Sequence, residues 1–314
     1  MNAISGIARS VIDGLATLFL VITVLFFALR TVPGDPALVL LGDYYTPELY
    51  QQLRGKLGLD SPLHTQYFIY LKDLVRGEWG NSVRTSTPVI RELASAYPHT
   101  LYLALAATAF AVAVGIPLGA LAGNRPGSSL DSFVTTISIF ALANPSFVLG
   151  IVMVVVFSIG LNWFPMMGSG QGGGLTDQLW HLVLPSLALG LRMAGQVSRV
   201  CRAEMALARS SDYVRTARAK GVSESVIFIR HTLRTTLIPV VTFLGLILTN
   251  LLAGAAVTEI VFSRPGLGRL LVSSILTRDF PLILGSVIVF ASTVVVVNTI
   301  LDVAYKLLDP RLRV

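Results

Sequence analysis

Uncharged apolar runs, several of them close to the ~20 residues that a helix needs to cross a hydrocarbon core, constrain this chain more than anything else in it. In lipid such a segment must satisfy its own backbone, which leaves only helices and closed barrels. The period-two alternation of a barrel is absent, so the runs read as membrane helices. Of the 314 residues 54% are hydrophobic and 13% charged, well below the ~25% charged that is usual in soluble domains. Disorder, a secreted disulfide scaffold and a soluble nucleotide-binding fold are thereby excluded. The one cysteine, Cys201, offers neither an intramolecular disulfide nor a cysteine-rich metal site, and reads as a small hydrophobe. The net charge of +7 does not imply a nucleic-acid partner in a chain of this kind; what matters is where the Lys and Arg fall.

The charged residues mark off six candidate spans. The first, Gly14 to Leu29, lacks a small-x-small cleavage site before Pro33 and reads as an uncleaved signal anchor rather than a signal peptide. The second is Thr100 to Gly123. The third lies within Ser132 to Thr176, most densely apolar from Phe133 to Leu161, with a kink expected at Pro145. The fifth and sixth are Leu237 to Phe262 and Leu282 to Leu301. The fourth is short, His181 to Leu191 with Pro185 inside it, and charge decides it. If it crosses, and the N-terminus is cytoplasmic, Arg192, Arg199, Arg202, Arg209, Arg215, Arg218, Lys220, Arg230 and Arg234 all lie inside, as the positive-inside bias requires. Six spans with both termini cytoplasmic are therefore expected. The segment Arg30 to Pro98 then lies outside, where its basic and acidic residues balance. Glu48 to Leu59 and Leu63 to Val75 have helical spacing, so the insertion is expected to be ordered.

The most informative stretch is Asp212-Tyr213-Val214-Arg215-Thr216-Ala217-Arg218-Ala219-Lys220-Gly221, within a loop of about 199–235. It reads as a short basic helix with a carboxylate at its start and Gly221 as a left-handed stop. A second helical stretch leads from it into the fifth span. Composition alone suits a loop that binds lipid headgroups. A short helix with Ala217 and Ala219 on its surface, rigidly joined to a membrane helix, also suits docking into a partner's groove.

Ala217, Gly221 and Leu237-Ile238-Pro239 at this spacing resemble the coupling loop of ABC importer permeases, the segment that inserts into the cytoplasmic ATPase. The opening Glu-Ala of that pattern is Arg215-Thr216 here, and Arg234 stands where a proline is usual. Further matches follow in order: Val32-Pro33-Gly34-Asp35-Pro36; Leu57-Gly58-Leu59-Asp60 with Pro62 and Gln66-Tyr67; Gly77-x-Trp79-Gly80-x-Ser82; and Pro98-x-Thr100-Leu101. They continue with Pro145-x-Phe147, Leu184-Pro185-Ser186-Leu187, Glu259-x-x-Phe262-x-x-Pro265-Gly266-Leu267-Gly268-Arg269, and Asp302, Tyr305 and Leu308-Asp309-Pro310-Arg311. The ordered set resembles the first permease subunit of bacterial dipeptide, oligopeptide or nickel ABC importers, the binding-protein-dependent inner-membrane components. The resemblance implies an all-helical type I transmembrane core over 94–306, preceded by an N-terminal helix (1–31) and an extracytoplasmic insertion (32–98). It also implies a homologous second permease, two ATPases that bind ATP and Mg, and an external solute-binding protein. The substrate would pass between the two permeases, in the bacterial inner membrane.

Other residues carry local readings. Glu259 is costly in lipid and should face the bundle interior, a watery path or Arg264, so gate and structural ion pair both stay open. Pro145 and Phe147 are the other candidates for the path. Asp13 and Asp302, near cytoplasmic ends, read as structural. Pro265 to Gly268 reads as a turn outside the membrane, and Gly168 to Gly174 as a flexible outer loop. No Gly-x4-Gly-Lys-Ser/Thr occurs, so this chain is expected to hydrolyse no ATP. His64, His99, His181 and His231 lack paired ligand spacing. An ion-coupled secondary transporter should show an inverted repeat and buried mid-membrane acids, and neither is found. A membrane scaffold would not depend on Gly221.

Overall fold

The computed structural model describes residues 3–31, 38, 41, 45–56, 58, 60–170 and 172–308. Among these the secondary structure is helical, apart from one isolated bridge between Asn81 and Pro88. Helix α1 is Ala3–Thr31, and the insertion contributes α2 (Pro47–Lys56) and α3 (Leu63–Arg76). The next four are α4 (Val89–Asn124), α5 (Ser129–Ala143), α6 (Ser146–Met153), continued by a π-helical segment Val154–Gly160, and α7 (Gly174–Ser210). Then come α8 (Asp212–Ala219), the short α9 (Glu224–Val226), a second π segment Ile227–Leu233, α10 (Arg234–Val261), α11 (Leu267–Leu276) and α12 (Phe280–Leu308).

The ordered insertion is as expected from its spacing. Val32 to Pro36, Leu57, Leu59 and Asp309 to Arg311 lie outside the described residues, as do the side chains of Asp302 and Tyr305. Three expectations change. The second span starts at Val89 rather than Thr100, because Pro98 sits inside a continuous helix. The kink at Pro145 is a break: α5 and α6 meet at 100°, since Asn144 and Pro145 both take extended backbone and Pro145 then opens α6. The turn after α10 falls at Phe262 and Ser263, and Arg264 to Gly266 have no regular structure. Leu267 already begins α11, with Gly266 extended at its N-cap.

Four helices are long and apolar enough to cross a membrane, and five spans result if the bent pair α5–α6 counts as one. The fourth expected span lies in α7, which is not among the helices apolar enough to cross, Asp177, Gln178, His181 and Arg192 breaking its apolar stretch. Its packing against α4 is close. Gly115, Gly119 and Gly123 of α4 meet the carbonyls of Ala194, Ser198 and Arg202 in turn, and a Cβ at Gly119 would stand 2.4 Å from the Ser198 oxygen. Small residues at this spacing let two backbones touch, the usual way for helices to associate in lipid, where no water drives them together. Both residue series rise together, so α4 and α7 run parallel. The bent pair must therefore carry the chain back, and it does so antiparallel to α7. Asp131 sits beside Arg202, Ser138 beside Gly195 and Gly150 beside Ala188.

The main core lies where α4, α7 and α10 meet: Leu103, Ala107, Ala111, Val197, Met205, Val240 and Ala255 are fully buried or nearly so. A second cluster at the other end joins Val89 and Leu93 of α4 to Leu267 and Leu282, with Trp79 and Tyr97 against it. Helix α1 is peripheral: only 6% of its apolar stretch is buried. It packs along α12, with Gly14 against Val295.

Candidate functional site

At the end of the bundle where α4 and α7 stop, Ser211 breaks the helix by turning extended (φ −74°, ψ 154°), and α8 starts again at Asp212. Val214 is completely buried, a contribution of about 1.5–3 kcal/mol for a side chain of this size. It pins α8 to the bundle by one face. The opposite face is free: Asp212, Tyr213, Arg215, Thr216, Arg218, Ala219 and Lys220 are exposed, while Ala217 is half-buried. Arg215 reaches only toward Asp212, at 3.7 Å with both side chains in solvent, so that pair holds nothing firmly.

The stop at Gly221 is as its sequence implied. Its φ is +73°, its N–H donates to the Arg218 carbonyl at 2.9 Å, and the Val222 N–H donates to the Ala217 carbonyl at 3.2 Å. These are the two bonds of a Schellman ending, which satisfies the last carbonyls of α8. The chain is then free to turn back at once.

Arg202, Arg209 and Arg218, which in the sequence counted as positive charge, hold this arrangement through partners on neighbouring segments. Glu224 accepts from Arg218 Nε at 2.6 Å and from Arg209 Nη2 at 3.3 Å. Arg209, at the end of α7, also donates to the Asn124 side chain at the end of α4. Beside them Asp131 accepts from Arg202 Nε and Nη2 at 2.9 and 2.7 Å, and from the Gly127 N–H at 2.9 Å. The Glu224 carboxylate raises the Arg218 guanidinium above its ordinary value, so Arg218 stays charged. The signal for Glu224 was Ser223-Glu224, an N-cap residue and an acid opening a helix. From Glu224 the backbone stays right-handed through Ile227 (φ −58°, ψ −48°) and Arg234 (φ −59°, ψ −41°) into α10. Ile227 and Thr232 are fully buried. Helix α8 is thus clipped to one end of a continuous rod running to Val261, and a push on α8 has a stiff route into the membrane.

The path candidates are not brought together. Glu259 is fully buried and its carboxylate is occupied. Oε1 accepts from the Thr100 hydroxyl at 2.5 Å, and Oε2 from the backbone N–H groups of Gly268 and Arg269 at 2.9 and 3.1 Å. It caps α11 from a distance, and Thr100 accepts from the Leu267 N–H at 2.8 Å. Among the described residues it makes no ion pair with Arg264. That guanidinium turns instead to the His181 carbonyl at 3.1 Å. Pro145 and Phe147 lie on the exposed surface of the chain at the α5–α6 break. No group of His, Cys, Asp or Glu among the described residues could hold a metal ion.

The fold is a helical bundle with a parallel glycine-packed pair and a short basic helix clipped at its end. Residues 115–314 match the family of binding-protein-dependent transport system inner membrane components, and residues 4–104 match the N-terminal part of such membrane components. The chain belongs to that family and is a permease subunit of an ABC importer. It is 38% identical over 297 residues to the glutathione transport system permease protein GsiC of Escherichia coli K12, covering 95% of each chain. GsiC of Shigella flexneri serotype 5b matches to the same extent. The fold resembles that of an inward-facing MetNI methionine ABC transporter chain, with a TM-score of 0.59 at 18% identity, over 72% of this chain and all of the other.

Proposed function

We propose that this chain forms one half of the membrane path of an ATP-driven importer of short peptides, and that α8 is the element through which ATP hydrolysis in partner chains is felt. The observation that carries the coupling role is the build of α8. It is anchored by Val214, closed by Gly221 and clipped by Glu224 to the rod that runs into α10, while its basic face is exposed among the described residues. Its partners in this reading are a homologous second permease, two ATPases that hold ATP and Mg, and an external solute-binding protein. The peptide reading is supported by relatives named for the transport of glutathione, itself a tripeptide. Import of nickel complexes by the same architecture is the alternative. Uptake of labelled di- to pentapeptides and of glutathione, compared in cells with and without this chain, tests it. Unchanged peptide uptake beside lost uptake of another solute sinks the peptide reading.

The same proposal takes α7 as a sixth crossing, supported by its parallel contact with α4, and places both termini and α8 on the cytoplasmic side of the bacterial inner membrane. Single cysteines at Glu78 and Leu276, in a Cys201→Ser background, should react with an impermeant thiol reagent from outside. One at Ser225 should react only after permeabilisation. Labelling of Ser225 from outside would reverse the orientation.

A further inference from the structure

Helix α3 is where the insertion meets α1. The Tyr67 hydroxyl lies 2.6 Å from the Thr23 hydroxyl, and the Tyr67 ring packs on Phe26 and Phe27 at 5.2 and 5.4 Å. Tyr70 stacks on Phe26 at 5.4 Å. Arg30 closes the cluster, its guanidinium 3.6 Å above the Phe26 ring and its Nε donating to Gln66 at 3.0 Å. Thr23 precedes Arg30 by about 10 Å of helical rise, and the apolar stretch of α1 continues to Thr31. The side chains of α3 therefore reach inside the apolar depth of α1, which puts the helix at headgroup level rather than above the membrane.

A second stripe of α3 is uncovered. Phe68 is 65% exposed and Val75 88%; with the half-exposed Leu71 they stand one above another at i, i+3 and i+7. Exposed Lys72 and Arg76 border them, placed for their ammonium and guanidinium groups to reach lipid phosphates while their stems lie along the apolar edge. The chain then leaves through Gly77 (φ +82°) to Trp79, which packs at the outer ends of α4 and α12, a position where aromatic residues mark the membrane interface. Helix α1, the support of α3, is itself a peripheral helix with its apolar surface uncovered.

We propose that α3 is an interfacial helix whose Phe68–Leu71–Val75 edge is seated in the outer leaflet of the bilayer, continuous with the lipid-facing surface of α1. This rests on reading α1 as a membrane span and is independent of the substrate and of the role of α8. It makes α3 a float lying on the membrane, which holds the outer end of α1 at fixed depth beside the bundle.

The test uses the full chain assembled with its partners in lipid nanodiscs, Cys201→Ser, with a nitroxide at Phe68→Cys or Val75→Cys and a reference at exposed Asp60→Cys. Oxygen, which partitions into lipid, and a water-soluble nickel chelate are the collision probes. Labels at 68 and 75 should show an oxygen-to-chelate collision ratio several-fold above that at 60. Both positions are highly exposed, so neither label disturbs the fold. A ratio at 68 and 75 equal to that at 60 means that the stripe faces water and overturns the proposal. Weak collision with both probes means that another protein chain covers it, and overturns the proposal equally.

Discussion

Substituting Gly221 separates the backbone requirement of α8 from the surface it offers. A Cβ built at Gly221 meets nothing within 4 Å, so an alanine methyl there clashes with none of the described residues. What remains is the φ of +73°, which costs an alanine about 1 kcal/mol relative to glycine, a factor of about five in the population of the correctly closed helix. Asn and Asp enter the left-handed region more readily than Ala. If the loop mattered only through its backbone, Gly221→Ala would be the worst of the three. If residue 221 lies in a contact surface, the order inverts: Ala keeps transport within about five-fold of wild type, while Asn loses more by bulk and Asp most, by bulk and charge. Nothing in the chain argues against Asp, because Arg218 and Lys220 stand beside it. Transport and ATPase co-purification should be measured together, on membranes holding equal amounts of each variant. Membrane insertion should be unchanged in all three. Wild-type transport in Gly221→Asp with the ATPase retained, and Gly221→Ala the most impaired, would refute docking through this face.

Other consequences are equally direct. Glu224→Gln removes the charge that pairs with Arg218 and Arg209, so ATPase co-purification should fall at low salt, and the gap from wild type should close at high salt, where exposed ion pairs are screened in any case. Gly119→Ala puts a methyl group 2.4 Å from the Ser198 carbonyl and 2.8 Å from Cys201 Cβ. The overpacking should cost about 1–3 kcal/mol, read as a lower thermal midpoint in detergent, whereas Gly55→Ala, with nothing within 4 Å, should leave the midpoint unchanged. Glu259→Ala uncaps α11 and leaves the Thr100 hydroxyl and two N–H groups short of an acceptor, a loss of about 1–3 kcal/mol. If thermal stability survives that change intact while transport is lost, Glu259 acts on the path and not as a cap.

Much of the chain was legible because lipid removes choices. A long apolar run in a membrane can only be a helix, so α1, α4, α10 and α12 follow from where charges stop and start. Gly221 was legible for a similar reason, since a left-handed residue after a short basic helix has little alternative to glycine. How α7 packs was not. Its apolar stretch is short, and what seats it is contact with Gly115, Gly119 and Gly123, residues whose value is the absence of a side chain and which apolar patterning passes over. The break at Asn144-Pro145 was foreseen as a kink, but its 100° angle comes from two successive residues with extended backbone, which a single proline does not announce. Glu259 shows the limit most plainly. From sequence it was a costly acid with Arg264 five residues on, and pairing or a watery path were the natural resolutions. The fold resolves it through the start of α11, because a helix N-terminus offers unpaired N–H groups, and only the tertiary arrangement brings those of Gly268 and Arg269, together with Thr100 from α4, around the carboxylate.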